Sequence, residues 1–441
     1  MPEGLNGDFF NHCLQGALCE MKKNVLIIGA GGVGQVAAHK CAAHNRLLGD
    51  IHIASRTIGK CHAIIDSIRE KGSLQDPQGV LQAHQLDAMD TAATRALIER
   101  TGAQIVINLG HAFVNMSVLE ACIETGAAYI DTAIHEDADK ICETPPWYAN
   151  HEWKRKPRCA ERGVTAILGC GFDPGVVNAY AALAVNEYFD QVDSIDIIDI
   201  NAGSHGRYFA TNFNPEINFR EFTGQVWSWQ GGQWQSNKMF EVQRTDDLPV
   251  VGQQTSYLTG HDELHSLSQN LNVPNIRFWM GFGEHYINVF NVLRNIGLLS
   301  EKPVTLDNGQ SVVPLQLVKA VLPDPASLAP GYVGKTCIGN LVKGVKNGQP
   351  REVFIYNVAD HVEAFAEVGS QGISYTAGVP AAAAAMLIAQ GVWDVRGMVN
   401  VEELPYQPFI NLMNRIGLPT HIRETGREDT LVQFAEQESL A

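Results

Sequence analysis

The sequence lacks CxxC pairs and zinc-like cysteine spacing, has no excess of basic residues, and has no apolar run of membrane-spanning length. Its nine cysteines (13, 19, 41, 61, 122, 142, 159, 170 and 337) are scattered, which argues against a disulfide framework and against a cysteine-built metal site. They read as free thiols in a reducing cytoplasm. With 32 Lys and Arg against 48 Asp and Glu, the formal net charge of −16 is wrong for nucleic acid or an anionic membrane surface. Residues 1–20 lack the basic start and apolar core of a signal peptide and read as an N-terminal extension. What remains is an ordinary globular composition, 45% hydrophobic and 18% charged, in a chain of 441 residues. That length exceeds one compact core, so two domains are expected.

Against these absences stands one strong local pattern. Lys23-Asn24-Val25-Leu26-Ile27-Ile28 is an apolar run of strand length, and it ends in Gly29-Ala30-Gly31-Gly32-Val33-Gly34 before a helical stretch from Gln35 to Cys41. In a strand–G-x-G-x-x-G–helix unit the first glycine makes the tight turn. The second admits backbone close to a pyrophosphate, and the third allows close strand–helix packing. The helix N-terminus adds free N–H groups and a positive dipole. The second strand, Asp50 to Ala54, ends in Ser55-Arg56-Thr57 and carries no carboxylate at its tip. A ribose 2′-hydroxyl site normally has Asp or Glu there, whereas a guanidinium flanked by hydroxyls suits a 2′-phosphate. The expected cofactor is therefore NADP(H).

Strand and helix signals alternate through the first third: strands at 25–28, 51–54, 83–87, 105–108, 128–131 and 165–168, with helices at 60–71, 90–101 and 115–126. This is the pattern of a Rossmann-type, doubly wound parallel sheet in an α/β protein. From Ser194 onward the signals change. Strand-like Ile195–Ile200, a hairpin through Gly231-Gly232, a second hairpin across Asn347-Gly348 and a helix over 285–299 suggest a mixed α+β domain for substrate and dimerisation. The expected division is a nucleotide domain over 21–175, completed by 373–422, and a second domain over 176–372. The Ala-rich helix from Tyr375 to Gly391 belongs to the returning segment, and 423–441 reads as a flexible tail. The second domain's broad sheet suits a homodimer.

Ligands of open α/β sheets bind beyond the carboxyl ends of the strands. Asp87 and Ala88, Asn108-Leu109-Gly110, and Asp131-Thr132 occupy such ends and are candidate cofactor contacts. Gly171-Phe172-Asp173-Pro174-Gly175 leaves a further strand, with Asp173 expected as a helix N-cap and Pro174 at the first helical position. His261 and His265 stand at i, i+4 spacing but lack the HExxH order and a third ligand, so no metal is expected.

These motifs, with Asn201-Ala202-Gly203-Ser204-His205-Gly206-Arg207-Tyr208 and Glu143-Thr144-Pro145-Pro146-Trp147-Tyr148, resemble the saccharopine dehydrogenase/reductase superfamily from about Met21 to Ile422. Within it, Asp131 to Glu136 and the two segments just quoted are similar to the bacterial carboxynorspermidine synthases. That resemblance implies NADPH-dependent condensation of aspartate β-semialdehyde with 1,3-diaminopropane or putrescine, in polyamine biosynthesis. Such chemistry needs acid–base help for loss of water from a carbinolamine, a carboxylate for the distal ammonium, and a cation or N–H groups for the substrate carboxylate. The sequence offers Glu136 for the ammonium, Arg207 for the carboxylate, His135 beside them, and His205 or His261 for proton transfer. A saccharopine reductase-type enzyme using another amine–aldehyde pair is the neighbouring alternative, and a non-catalytic NADPH sensor is the alternative of another class.

Overall fold

The computed structural model describes residues 22–137, 143–223 and 225–435. The expected N-terminal extension, 1–20, lies outside them. Six strands build the first sheet in the alternating order expected: β1 (Lys23–Ile28), β2 (Leu48–Ser55), β3 (Leu81–Gln85), β4 (Ile105–Asn108), β5 (Ala128–Ile130) and β6 (Ala166–Leu168). All pair in parallel, and a late strand, Met398–Asn400, adds a seventh beside β6. The order from that strand runs through β6, β5, β4, β1, β2 to β3, so direction of travel reverses between β1 and β4. That reversal opens the crevice where dinucleotides bind.

The second sheet begins with β7 (Gln191–Asn201) and continues with β8 (Val226–Gln230), β9 (Gln233–Asn237), β10 (Gln243–Leu248), β11 (Gly252–Thr259) and β12 (Ile276–Gly281). A two-stranded ribbon, β13 (Val304–Thr305) and β14 (Ser311–Val312), stands apart. The long hairpin β15 (Lys335–Lys346) and β16 (Gln349–Asp360) turns on Asn347 and Gly348 at φ 52° and 73°, the conformation a two-residue turn demands. The late strand of the first sheet is β17, and β18 (His421–Glu424) and β19 (Thr430–Leu431) close the chain. The large sheet runs β10-β11-β12-β7-β15-β16-β18-β19, with the β8–β9 hairpin joined to β12. It is antiparallel except for β12 against β7.

Alternation along β7 assigns its two faces. Ile195 and Ile197 pack into the core that also holds Tyr180 and Val379, while Ile198 and Ile200 join Phe219 and Phe290 on the other side. The helix Gly372–Ala389 lies in the first of these cores, against the helix Gly32–Ala42. A Cβ on Gly378 would stand 2.8 Å from the Val33 carbonyl oxygen, so the missing side chain permits the close approach. Buried Lys40 fixes the same junction by donating to Tyr375 Oη (2.8 Å) and the Ile416 carbonyl (2.6 Å) and pairing with Glu367.

Two expectations need correction. Gly372–Ala389 is long and apolar enough, by length and composition, to cross a membrane; 83% of it is buried inside the protein, as a core helix of small residues can be. Residues 423–434, read as a flexible tail, are built in. Arg423 pairs with Asp429, Val432 is buried, and Phe434 exchanges hydrogen bonds with the Asn411 side chain (2.9 and 3.0 Å). Polar side chains from the helix Tyr406–Ile416 satisfy that backbone, which the segment's own composition does not reveal. Among the described residues Cys41, Cys61, Cys122, Cys159, Cys170 and Cys337 are free and buried.

Candidate active site

A cleft of about 740 Å³ opens over the carboxyl ends of the first sheet, lined by Gly31–Gly34, Leu109, Gly110, Thr132, Asp173 and Pro174 on that side. Residues of the second sheet and its helices form the opposite wall. The three fingerprint glycines have separate reasons to be glycine. Gly29 sits at φ 114°, and a Cβ there would meet the Leu109 carbonyl oxygen at 2.3 Å. A Cβ on Gly34 would meet the Gly29 carbonyl at 2.0 Å, so the turn and helix are packed backbone to backbone. Gly31 faces space with nothing within 4 Å. An open cradle at a helix N-terminus fits a pyrophosphate. At the tip of β2, Arg56 is exposed, Ser55 Oγ accepts from Thr57 N–H (3.3 Å), and the tip itself, Ser55-Arg56-Thr57, carries no carboxylate. The residues present therefore fit NADP.

Other expected cofactor contacts serve the scaffold. Asn108 is buried, donates to Asn115 Oδ1 (2.8 Å) and accepts from Gly110 N–H (3.2 Å), which shapes the loop beside the glycine turn. Asp131 is buried and accepts from Gly169 N–H at 2.6 Å, fastening the ends of β5 and β6; burial pushes its carboxyl up to about 7. Asp87 closes its own turn by accepting from Met89 N–H (3.1 Å), Ala88 is buried, and Ala30 packs on the core. Phe172 is buried against Tyr180.

Asp173 is not the helix cap. Gly171 N–H donates to the Pro174 carbonyl (2.8 Å), which closes residues 171–175 on themselves, and the helix starts at Val176 with Gly175 as its cap. Asn178 Oδ1 accepts from Gly175 N–H (2.8 Å) and does the capping instead. The Asp173 carboxyl is left on the cleft, hydrogen-bonded to Asp199 of β7. Burial is the main reason both carboxyls are raised, Asp199 to about 6; the Asp199 charge raises Asp173 further, while the hydrogen bond from Asp173 draws Asp199 back down.

His261 stands beside this pair. Its Nδ1 contacts buried Glu263 at 2.6 Å, and its ring lies flat on Phe278 at 4.0 Å. Asp262 accepts from Ile134 N–H (2.7 Å), and burial raises its carboxyl to about 6. Farther along the same cleft, Glu136 is raised to about 7, chiefly by burial, with Arg220 pulling the other way through a 2.9 Å contact from Nε. Arg220 is itself buried and also donates to Glu301 (2.8 Å) and the Asp137 carbonyl (3.0 Å). His135 and Glu143 complete the acidic half of the wall.

His205 and Arg207 are not among the residues lining the cleft. His205 packs edge-on to Tyr332 at 5.4 Å, and Arg207 is exposed, with its N–H donating to His205 Nδ1 (3.2 Å). The i, i+4 reading of His261 and His265 also fails, because the helix starts at Leu264 and His261 precedes it. His265 is sandwiched between Trp147 (4.3 Å) and Trp234 (4.7 Å) and accepts from Trp147 N–H, so burial holds it neutral.

Asp199, Asp262 and Arg220 are site residues that the sequence reading did not select. Strand parity contained the signal for Asp199. Asp196 and Asp199 are three apart on β7 and so face opposite sides: Asp196 pairs with Arg277 and Arg244, leaving Asp199 toward the cleft.

Comparison with known proteins agrees with this geometry. The saccharopine dehydrogenase NADP binding domain matches residues 25–167, and the saccharopine dehydrogenase C-terminal domain matches residues 171–418. A carboxynorspermidine synthase of Vibrio alginolyticus is 47% identical over 400 residues, covering 91% of this chain and 97% of its own. A carboxyaminopropylagmatine dehydrogenase of Synechocystis is 44% identical over 398 residues, covering 90% and 96%. The structure of a saccharopine dehydrogenase (L-Glu forming) from Saccharomyces cerevisiae superposes with a TM-score of 0.67 at 13% identity, over 92% of this chain and 100% of that one, which shows the shared fold. Fold, glycine turn and cleft together define an NADP-dependent oxidoreductase. The chain belongs to the saccharopine dehydrogenase family.

Proposed function

We propose that the enzyme condenses L-aspartate β-semialdehyde with a small diamine, 1,3-diaminopropane or putrescine, and reduces the imine to carboxynorspermidine or carboxyspermidine. The observation that carries this reading is the hydrogen-bonded Asp173–Asp199 pair beside His261, in a carboxylate-lined cleft that begins at the glycine turn. The names of the Vibrio and Synechocystis relatives support the same chemistry.

The carboxylates bind the amine. The Asp262 charge makes Glu136 harder to ionise, and an ammonium between them relieves that repulsion. Arg220 holds Glu136 in place for this. His261, with Nδ1 on the Glu263 carboxylate, takes the proton released by the attacking amine and passes it to the alkoxide, giving the carbinolamine. Two hydrogen-bonded buried carboxyls cannot both be charged, so the Asp173–Asp199 pair keeps a proton near neutrality. That proton goes to the carbinolamine oxygen, which leaves as water and yields the iminium. The glycine turn and Arg56 would hold NADPH, which would supply the hydride that makes the secondary amine. The apolar lining of the cleft, with Trp147 and Met280, disfavours the return of water to the iminium.

The test is NADPH oxidation with aspartate semialdehyde and each of 1,3-diaminopropane, putrescine and agmatine, the last being the unit in the Synechocystis relative's name. A parallel arm uses the lysine-derived semialdehyde with glutamate. Turnover with a diamine and the four-carbon semialdehyde supports the proposal. Turnover confined to the glutamate arm, or none in any arm, rejects it.

A further inference from the structure

Four side chains at the lip of the cleft have no role in the chemistry above. His135 and Asp137 lie on the loop after β5. Glu143 and His151 lie on the far side of the segment that follows, at the start and in the middle of the turns around Trp147–Arg155. One donor atom from each of His135, Asp137 and His151 falls within 4.8 Å of the others, a convergence that no other group of His, Cys, Asp and Glu reaches among the described residues.

Their contacts set more acceptors against the imidazoles than neutral rings have protons to fill. His135 Nδ1 faces the Ala112 carbonyl oxygen at 3.0 Å, and its Nε2 faces Asp137 Oδ1 at 3.3 Å. Both ring nitrogens thus look at acceptors, and a neutral imidazole has one proton. If the carbonyl takes it, a nitrogen lone pair is aimed at a carboxylate oxygen. His151 Nε2 in turn faces Glu143 Oε1 at 3.0 Å and Asp137 Oδ2 at 3.9 Å. Two imidazole nitrogens and the Asp137 carboxylate therefore converge on one small volume, with Glu143 held against His151 at its edge. The two rings meet edge to face, centroids 4.6 Å apart, so they are not held by stacking.

We propose that His135, Asp137 and His151 form a binding site for a divalent cation of the zinc type, with Glu143 beside His151 as the nearest further carboxylate. Zinc takes nitrogen and oxygen donors tetrahedrally at about 2.0–2.2 Å, which places neighbouring donor atoms about 3.3 Å apart. Within the group the Asp137 oxygens stand 3.3 and 3.9 Å from the two imidazole nitrogens, at and just beyond that edge. A backbone carbonyl on the second nitrogen of a ligating histidine fixes its tautomer and orientation, and Ala112 already does this for His135. A donor set of two imidazoles and carboxylate oxygen, without sulfur, suits zinc or cobalt better than magnesium or calcium. Since His135, Glu136, Glu143 and Trp147 all line the cleft, the ion ties the two loops of that wall together. Its work is structural, and it takes no part in hydride transfer.

The full-length protein is stripped with a chelator and titrated with Co²⁺ and with Zn²⁺. The site predicts one equivalent of metal per chain, the intense visible absorption of tetrahedral cobalt, and a zinc-dependent rise in melting temperature. His151→Ala and Asp137→Asn each abolish the cobalt signal and the thermal shift. X-ray absorption of the zinc-loaded unmodified protein needs no variant, and it should report two imidazoles and oxygen donors. No uptake, a signal unchanged in both variants, or a sulfur-containing shell overturns the assignment.

Discussion

Asp173 and Asp199 come from different sheets, one from the turn after β6 and one from β7, and their carboxyls meet in a hydrogen bond on the wall of the cleft. Neither could hold a proton near neutrality alone in water. Together and buried, they store one at the point where the two domains face each other.

Asp199→Asn should leave the fold and NADPH affinity intact and lower kcat by about 10²- to 10⁴-fold, the usual contribution of a positioned acid. The sign of the pH effect follows from a carboxyl raised to about 6: the acid form is lost as pH rises through that value, so the unmodified enzyme loses rate on the alkaline side. In the variant that limb moves or disappears. Steady-state rates across pH, with calorimetric NADPH binding, check both parts.

Glu136→Gln should raise KM for the diamine by about 10- to 100-fold, as expected for a charge-assisted contact of about 1.5–3 kcal/mol, with NADPH affinity unchanged. Arg220 keeps Glu301 as a partner in this variant, so the loop stays anchored. Equal losses for diamine and cofactor would refute the assigned role.

Gly31→Val and Gly29→Ala should fail in different ways. A side chain at 31 enters open space, so the protein folds normally and NADPH binding is lost. A methyl at 29 is driven to 2.3 Å from the Leu109 carbonyl oxygen at a backbone angle that L residues rarely adopt, so melting temperature falls. Thermal melts with and without NADPH separate the two.

Asp131→Asn should flatten the pH dependence of stability. The folded-state carboxyl titrates near 7 and the unfolded one near 3.8, so the folded state keeps a proton that the unfolded chain releases between them. Stability from this group is complete below the lower value and falls as pH rises through the upper one, by up to about 4 kcal/mol. Asparagine retains the acceptor for Gly169 N–H and removes the titration. Denaturant unfolding from pH 4 to 8, compared between the two proteins, measures the difference.

Local patterns were legible wherever local physics decides the outcome. The apolar run before Gly29, the two-residue turn at Asn347-Gly348 and the strand at Ile105–Asn108 all stand where residue type and spacing place them. Contacts distant in sequence were not. Met398–Asn400 is too short for its alternation to show, and it becomes a strand because β6 offers a free edge. Asp173 before Pro174 looked like a cap, yet the closed turn between Gly171 and Gly175 moved the helix start and released the carboxyl to the site. Arg207 and Arg220 are equally suited by chemistry to a carboxylate partner. Only the packing of the helix Pro215–Thr223 against the loop after β5 brings Arg220, and not Arg207, to Glu136.

The account stands on NADPH and the new carbon–nitrogen bond meeting in this one cleft. NADPH carrying deuterium at the transferable C4 position, incubated with aspartate semialdehyde and 1,3-diaminopropane, should give carboxynorspermidine with one deuterium on the carbon bonded to the new secondary nitrogen, and Gly31→Val should give none. Cofactor oxidation with no deuterium in a coupled product, or labelled product from Gly31→Val at the unmodified rate, would contradict it.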